Sequence, residues 1–119
     1  MSAFSYSLSE KILAHIFEGQ MYTPPQEIYI SLHTEVLNRA GIGAEVSGAS
    51  YERKQISFYS NMNSESIVWN NLPQATIVAV GLWDQEGAFL MRGVLPEPVF
   101  RNAGDSFSMP AGDIVVGLD

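Results

Sequence analysis

The chain reads as a mainly β protein: an antiparallel β-sandwich, jelly-roll-like, carrying one short N-terminal α-helix. Three observations predict it. About seven short segments of alternating or continuous apolar character are separated by Gly, Pro, Asn and Asp at sandwich spacing. They do not alternate with helical segments, which disfavours a parallel, doubly wound sheet. Helical periodicity is confined to one stretch near the N-terminus.

The helix is expected over about residues 8–18. Ser7-Leu-Ser-Glu10 fits a capping box, in which a hydroxyl caps a free N–H and a carboxylate three residues on reaches back. Leu8, Ile12 and Ile16, with Leu13 and Phe17, then recur at three- and four-residue spacing, and Gly19 stands where a C-capping glycine belongs. A one-sided stripe of this kind is expected to dock on the sheets. Tyr22-Thr-Pro-Pro25 follows as a stiff connector.

Strands are expected from about residue 27 to 118. Glu27–Thr34 alternates, with Ile28, Ile30 and Leu32 on one face and Tyr29, Ser31 and His33 on the more polar one. Residues 35–50, with Gly41, Gly43 and Gly48, read as a long loop, Tyr51–Tyr59 as a strand, and residues 61–66 as a polar loop. Ile67–Asn70 is a short strand closed by Asn71-Leu-Pro73. Ala75–Asp84 is almost continuously apolar, as in a central strand covered on both faces. Its alternation places Ile77, Ala79, Gly81 and Trp83 opposite Val78, Val80 and Leu82. Gln85-Glu-Gly87 turns the chain into Phe89–Leu95. Pro96-Glu-Pro98 then puts Val99 and Phe100 at an edge or in a loop. Ser106–Met109 and Ile114–Leu118 complete the set.

The sequence has 119 residues, the size of one domain, so residues 1–119 are expected to share one core. With 13 acidic and 6 basic residues its formal charge is −7, which argues against nucleic acid and anionic membrane as partners. No apolar run approaches a membrane span. Met1-Ser-Ala-Phe-Ser-Tyr6 lacks the basic and apolar regions of a secretory signal, so synthesis in a host cytoplasm is expected. There is no cysteine, which removes disulfides, thiolate catalysis and Cys-ligated zinc.

Catalytic chemistry finds little support. His15 and His33, the two histidines, lie near no Gly-x-Ser-x-Gly elbow and are expected to be partly exposed structural residues. Asp84, Asp105 and Asp113 each sit in Gly-containing turns, where Asp serves local hydrogen bonding. No metal-ligand spacing and no phosphate-binding glycine loop is present, so no metal and no cofactor is expected. Of the aromatic residues, Trp83 is expected in the core. Trp69 and the tyrosines are open to a role on an association surface or a sugar-stacking platform.

The whole chain resembles a group of small phage virion structural proteins, of tail-fibre-like or head-decoration type. The resemblance is carried by an ordered series: the helix Ser9–Gly19, Tyr22-Thr-Pro-Pro25, Ile28–Thr34, Glu45-Val-Ser-Gly48 with Tyr51-Glu-Arg53, Val80-Gly-Leu-Trp-Asp84, Ala103-Gly-Asp105, Pro110-Ala-Gly-Asp113 and Leu118-Asp119. The chain departs from the pattern at Glu35-Val36, after Thr34, and over a short segment 61–76. The resemblance implies a non-enzymatic virion component. It would assemble by protein–protein contacts as a capsid decoration or cement protein, a head-fibre protein, or a tail-fibre or adaptor protein. Its partners would be the major capsid or tail proteins and further copies of itself, a trimer being the expected assembly. Contact residues are expected in the 35–50 loop and at Tyr51, Arg53, Trp69, Val99 and Phe100. The alternative is a carbohydrate-binding adsorption module facing the host surface. A third reading, glycan hydrolysis, would need a pair of the turn aspartates facing a cleft.

Overall fold

A computed structural model describes residues 3–117. The described chain is mainly β, antiparallel and sandwich-like, with one helix. The elements are α1 (Tyr6–Glu18), β1 (Ile28–His33), β2 (Lys54–Ile56), β3 (Phe58–Tyr59), β4 (Met62–Asn63), β5 (Ile67–Trp69), β6 (Ala75–Asp84), β7 (Phe89–Arg101) and β8 (Phe107–Met109). A four-stranded sheet has the order β2-β1-β6-β7, and β3-β4 and β5-β8 form two-stranded pieces.

The helix is capped two residues earlier than the capping-box reading places it. Ser5, not Ser7, is the N-cap: its backbone is extended and its hydroxyl accepts the Leu8 N–H at 3.0 Å. Gly19 ends the helix in the left-handed region at φ 67°, as its position predicts. The docking expectation holds only in part. Leu8 and Ile12 are half-buried, whereas Leu13, Ile16 and Phe17 point to solvent, and no helix residue is fully buried. The N-terminal end is held chiefly by hydrogen bonds. Ser5 N–H donates to the Leu90 carbonyl, Tyr6 N–H to the Arg39 carbonyl, and Arg39 to the Phe4 carbonyl and the Ser9 hydroxyl.

β6 is the central strand, paired with β1 along Ile28↔Asp84 to His33↔Ala79 and with β7 on its other side. Its one-residue alternation is interrupted. The register of β6 with β7 shifts between Ile77 and Ala79, where Val78 alone faces residues 95–98. A bulge moves side chains to the opposite face, so Ile77 joins Val80 and Leu82 in the main core instead of lying with Ala79 and Trp83. The residues bulged out on β7 include Pro96-Glu97-Pro98. Proline cannot donate to a ladder, so this outer edge resists pairing with another strand. Val99 and Phe100 continue β7 beyond the bulge, opposite Ile77 and Thr76.

The main core lies between one face of the large sheet and the β5–β8 piece. It joins Ile30, Leu32, Ile56, Ile77, Val80 and Leu82 to Ile67, Trp69, Phe107 and Met109. Fully burying aliphatic side chains of this size contributes about 1.5–3 kcal/mol each. Trp69 and Phe107 are directly paired across β5 and β8, their rings 5.9 Å apart. The opposite face of the sheet carries a second cluster, where Leu37 covers Ala79 and Phe89. The 35–50 loop thus closes the second layer.

Three further expectations are corrected. Tyr51–Tyr59 breaks at Ser57 into β2 and β3. Segment 61–66 contains β4, which pairs with β3 to make a small hairpin. Ile114–Leu118 forms no regular strand over its described residues, which make one bridge from Val115 to Met62, and Leu118 lies outside the described residues.

Candidate functional site

The densest polar arrangement lies under the 35–50 loop, on the face of β1 expected to be the more polar one. Alternation along β1 aims Ser31 and His33 to that face, and both are fully buried. This corrects the expectation of a partly exposed His33. His33 Nδ1 lies 2.9 Å from the Gly43 carbonyl, which can only accept, so Nδ1 carries the proton of the neutral ring and Nε2 is the acceptor. Ser31 Oγ, 2.6 Å from Nε2, donates to it and in turn accepts the Trp83 indole N–H at 2.7 Å.

A serine hydroxyl on a histidine nitrogen is the first half of a nucleophilic triad. Here the third member is a backbone carbonyl, and Trp83 occupies the space a substrate carbonyl would need. Ser31 has no exposed surface, so the pair works as a structural clasp between β1, β6 and the loop. Its Ser-x-His spacing on one strand was the signal in the sequence. What alternation does not reveal is that a loop covers that face.

Beside the clasp, Arg53 bridges the layers. Its guanidinium donates to both carboxylate oxygens of Glu45, at 3.1 and 3.0 Å, and lies 3.9 Å over the Trp83 ring. The Tyr51 hydroxyl donates to Glu45 at 2.6 Å and accepts the Leu32 N–H. Burial works against the charge of Glu45, but the hydrogen bonds from Arg53 and Tyr51 outweigh it and hold the carboxyl below its ordinary pKa. Burial, then the Glu45 hydrogen bond, pushes the Tyr51 phenol well up.

A pH dependence follows. Glu45 titrates lower in the folded chain, so its contribution is full above the unfolded carboxyl value of about 4.3 and is lost as pH falls through the folded value. Tyr51, raised, contributes below about pH 10 and loses its contribution above it. Urea unfolding midpoints across pH will therefore drop in acid. In Glu45→Gln, which is less stable at neutral pH, the difference from the parent will shrink as pH falls below about 4. An unchanged acid limb in the variant rules the mechanism out.

The expected contact residues do not form one patch. Tyr51 and Arg53 meet on Glu45. Trp69 is buried at 1% exposure, with its indole N–H donating to the Glu52 carbonyl, so its expected surface role is corrected: β5 and β8 close over it. Val99 is half-buried and Phe100 is exposed on the β7 edge. The turn aspartates act locally: Asp84 accepts from the Glu86 and Ala88 N–H groups, and Asp105 from that of Asn102. All four arginines donate to groups of the protein itself, Arg92 to the Leu37 carbonyl and Arg101 to those of Ser106 and Phe100. Among the described residues no buried side-chain polar atom lacks a partner, and no three His, Asp or Glu side chains gather as a metal site. The cleft beside α1, about 210 Å³, is lined by Lys11, Tyr22, Pro25 and Asp84, below the roughly 300 Å³ at which ordinary small-molecule sites begin.

A self-satisfied, β-rich scaffold whose polar groups are turned inward is the class of protein this arrangement defines, one suited to contact more than to turnover. Over residues 3–117 the chain matches the family model described as the podophage GP4 fiber I protein gp80, and it belongs to that family. None of the curated proteins matches it.

Proposed function

We propose that the chain is a non-enzymatic structural component of a phage virion, assembling through protein–protein contacts as a fibre or adaptor module on the capsid or tail. The observation that carries this reading is the family match across residues 3–117, the full described chain. The buried Ser31–His33 clasp and the locally bonded turn aspartates support it, because the groups best suited to catalysis are engaged in holding the fold. The contact to capsid or tail proteins is assigned to the β7 edge at Val99 and Phe100. There an apolar side chain stands out from a strand whose Pro-Glu-Pro bulge keeps other strands away.

The carbohydrate-binding reading has less to stand on. Trp69 is buried, Trp83 is capped by Arg53, and the exposed rings of Tyr6, Phe17, Tyr59 and Phe100 are spread over three elements. A stacking platform needs adjacent faces.

Mass spectrometry of dissected particles, with immunogold labelling, tests the proposal. The chain is expected at a fixed copy number on one substructure. Phe100→Ser, on a solvent-facing side chain, is expected to lower its incorporation about tenfold without moving the unfolding midpoint. Complete particles devoid of the chain, or full incorporation of the variant, would overturn the respective parts.

A further inference from the structure

The distal half of α1 presents apolar surface that the rest of the chain leaves uncovered. Leu13, Ile16 and Phe17 are 54, 65 and 77% exposed, and Met21, just past the cap, is 94% exposed. Leu13 and Phe17 lie one turn apart, and Ile16 flanks them on the same side, so the three make one cluster. A helix of 13 residues is marginal in water without packing. Its hydrogen-bonded anchors, at Ser5, Tyr6 and Ser9, all lie in the opposite half.

Two quantities point to the occupant. At these exposures the four residues leave roughly 600 Å² open, the upper end for the largest patch on a monomer and most of the roughly 800 Å² each partner gives to a stable interface. The second is charge. At a net charge of −7, two copies repel unless they meet where carboxylates are absent. Between Leu13 and Phe17 stand only Ala14, His15 and Ile16, while Glu10 and Glu18 lie outside the cluster. On the β7 edge, by contrast, Glu97 separates Val94 from Phe100.

We infer that α1 is the self-association seam of this chain: copies pack helix against helix through Leu13, Ile16 and Phe17, with Met21 extending the contact. The spacing places these side chains as knobs for a closed cyclic assembly, in which the same patch serves every copy. The inference rests on the reading of the chain as a repeated virion component. Its test uses purified protein, so the two fail separately.

Sedimentation of the full chain from about 1 µM to about 1 mM is expected to show a concentration-dependent oligomer. Leu13→Ser/Phe17→Ser is expected to raise the dissociation constant at least about 100-fold. The conservative Leu13→Met/Phe17→Leu pair is expected to keep association, which separates lost contact from lost helix. The chain contains no cysteine, so Ile16→Cys under mild oxidation reports the seam directly. It is expected to form interchain disulfides, whereas Ala103→Cys, in an exposed turn, is not. A wild-type monomer across the range overturns the inference and leaves the face to a different virion protein. An unchanged mass for the serine variant, or equal cross-linking at both positions, overturns it as well.

Discussion

Replacing Asn63 with Ala is expected to cost about 3–5 kcal/mol, the sum of three buried hydrogen-bonding groups losing their partner at about 1–3 kcal/mol each, with some relaxation. The side chain is 2% exposed. Its Nδ2 donates to the carbonyls of Glu65 and Pro110 at 2.9 and 3.0 Å, and its Oδ1 accepts the Ile114 N–H at 2.9 Å. The backbone of the same residue accepts from Gly112 and donates to the Ile114 carbonyl. One residue of β4 therefore ties the β3–β4 hairpin to the turn after β8 and to the C-terminal segment. Asn63→Asp separates chemistry from volume. It keeps the shape and the acceptor but sets carboxylate oxygens against two carbonyls, so it is expected to be no better than Ala. Urea denaturation of the three proteins checks this. Since domain stabilities run from about 5 to 15 kcal/mol, the loss falls well outside error. A midpoint for Asn63→Asp equal to the parent's would sink the account.

Asn63 also marks where the sequence stops being legible. In the chain it stands in Asn61-Met-Asn-Ser-Glu-Ser66, a string of turn formers. Composition alone makes it a loop, because its three side-chain bonds are to carbonyls and an N–H up to 51 residues away. The elements whose cause is local were readable. The helix and its Gly19 cap follow from spacing, β1 from alternation, and the β6–β7 hairpin from an apolar run, a Gly87 turn and a second run. The N-cap was misplaced by two residues because Ser5 and Ser7 are chemically alike, and the choice falls to Ser5 through its own N–H bond to Leu90. The bulge at Val78 is set by Pro96-Glu-Pro98 on the neighbouring strand, so no count along β6 alone finds it. The candidate site shows the same division. Tyr51 and Arg53 were singled out, but Glu45, their common partner, and the burial of Ser31 and His33 depend on how the 35–50 loop folds back over the sheet. That loop is fixed by contacts such as Val46 N–H to the Leu32 carbonyl and Thr34 N–H to that of Ala44.

The other large effect is expected at Gly81, which stands at the middle of that clasp. Its φ is not in the left-handed region, so the backbone would accept any residue, and the constraint is space alone. A Cβ there would lie 2.9 Å from Ser31 Oγ, 3.0 Å from Trp83 Nε1 and 3.3 Å from His33 Nε2. These atoms belong to short or tightly held side chains with no room behind them, so none swings aside cheaply. Gly81→Ala is expected to cost about 3 kcal/mol, from overpacking of about 1–3 kcal/mol plus a weakened buried hydrogen bond. The diagnostic is the coupling with Ser31→Ala, which removes the nearest clashing atom but leaves the Trp83 indole and His33 without their partner. If the three groups form one unit, the double variant loses less than the sum of the singles by at least about 1 kcal/mol. Exchange of the Trp83 indole proton gives a local readout: slow in the parent, and fast in either single variant at denaturant concentrations where the chain is still folded. Strict additivity would mean that Gly81 is constrained by something other than the Ser31–His33–Trp83 clasp, and the clasp would lose its claim to hold β1, β6 and the loop together.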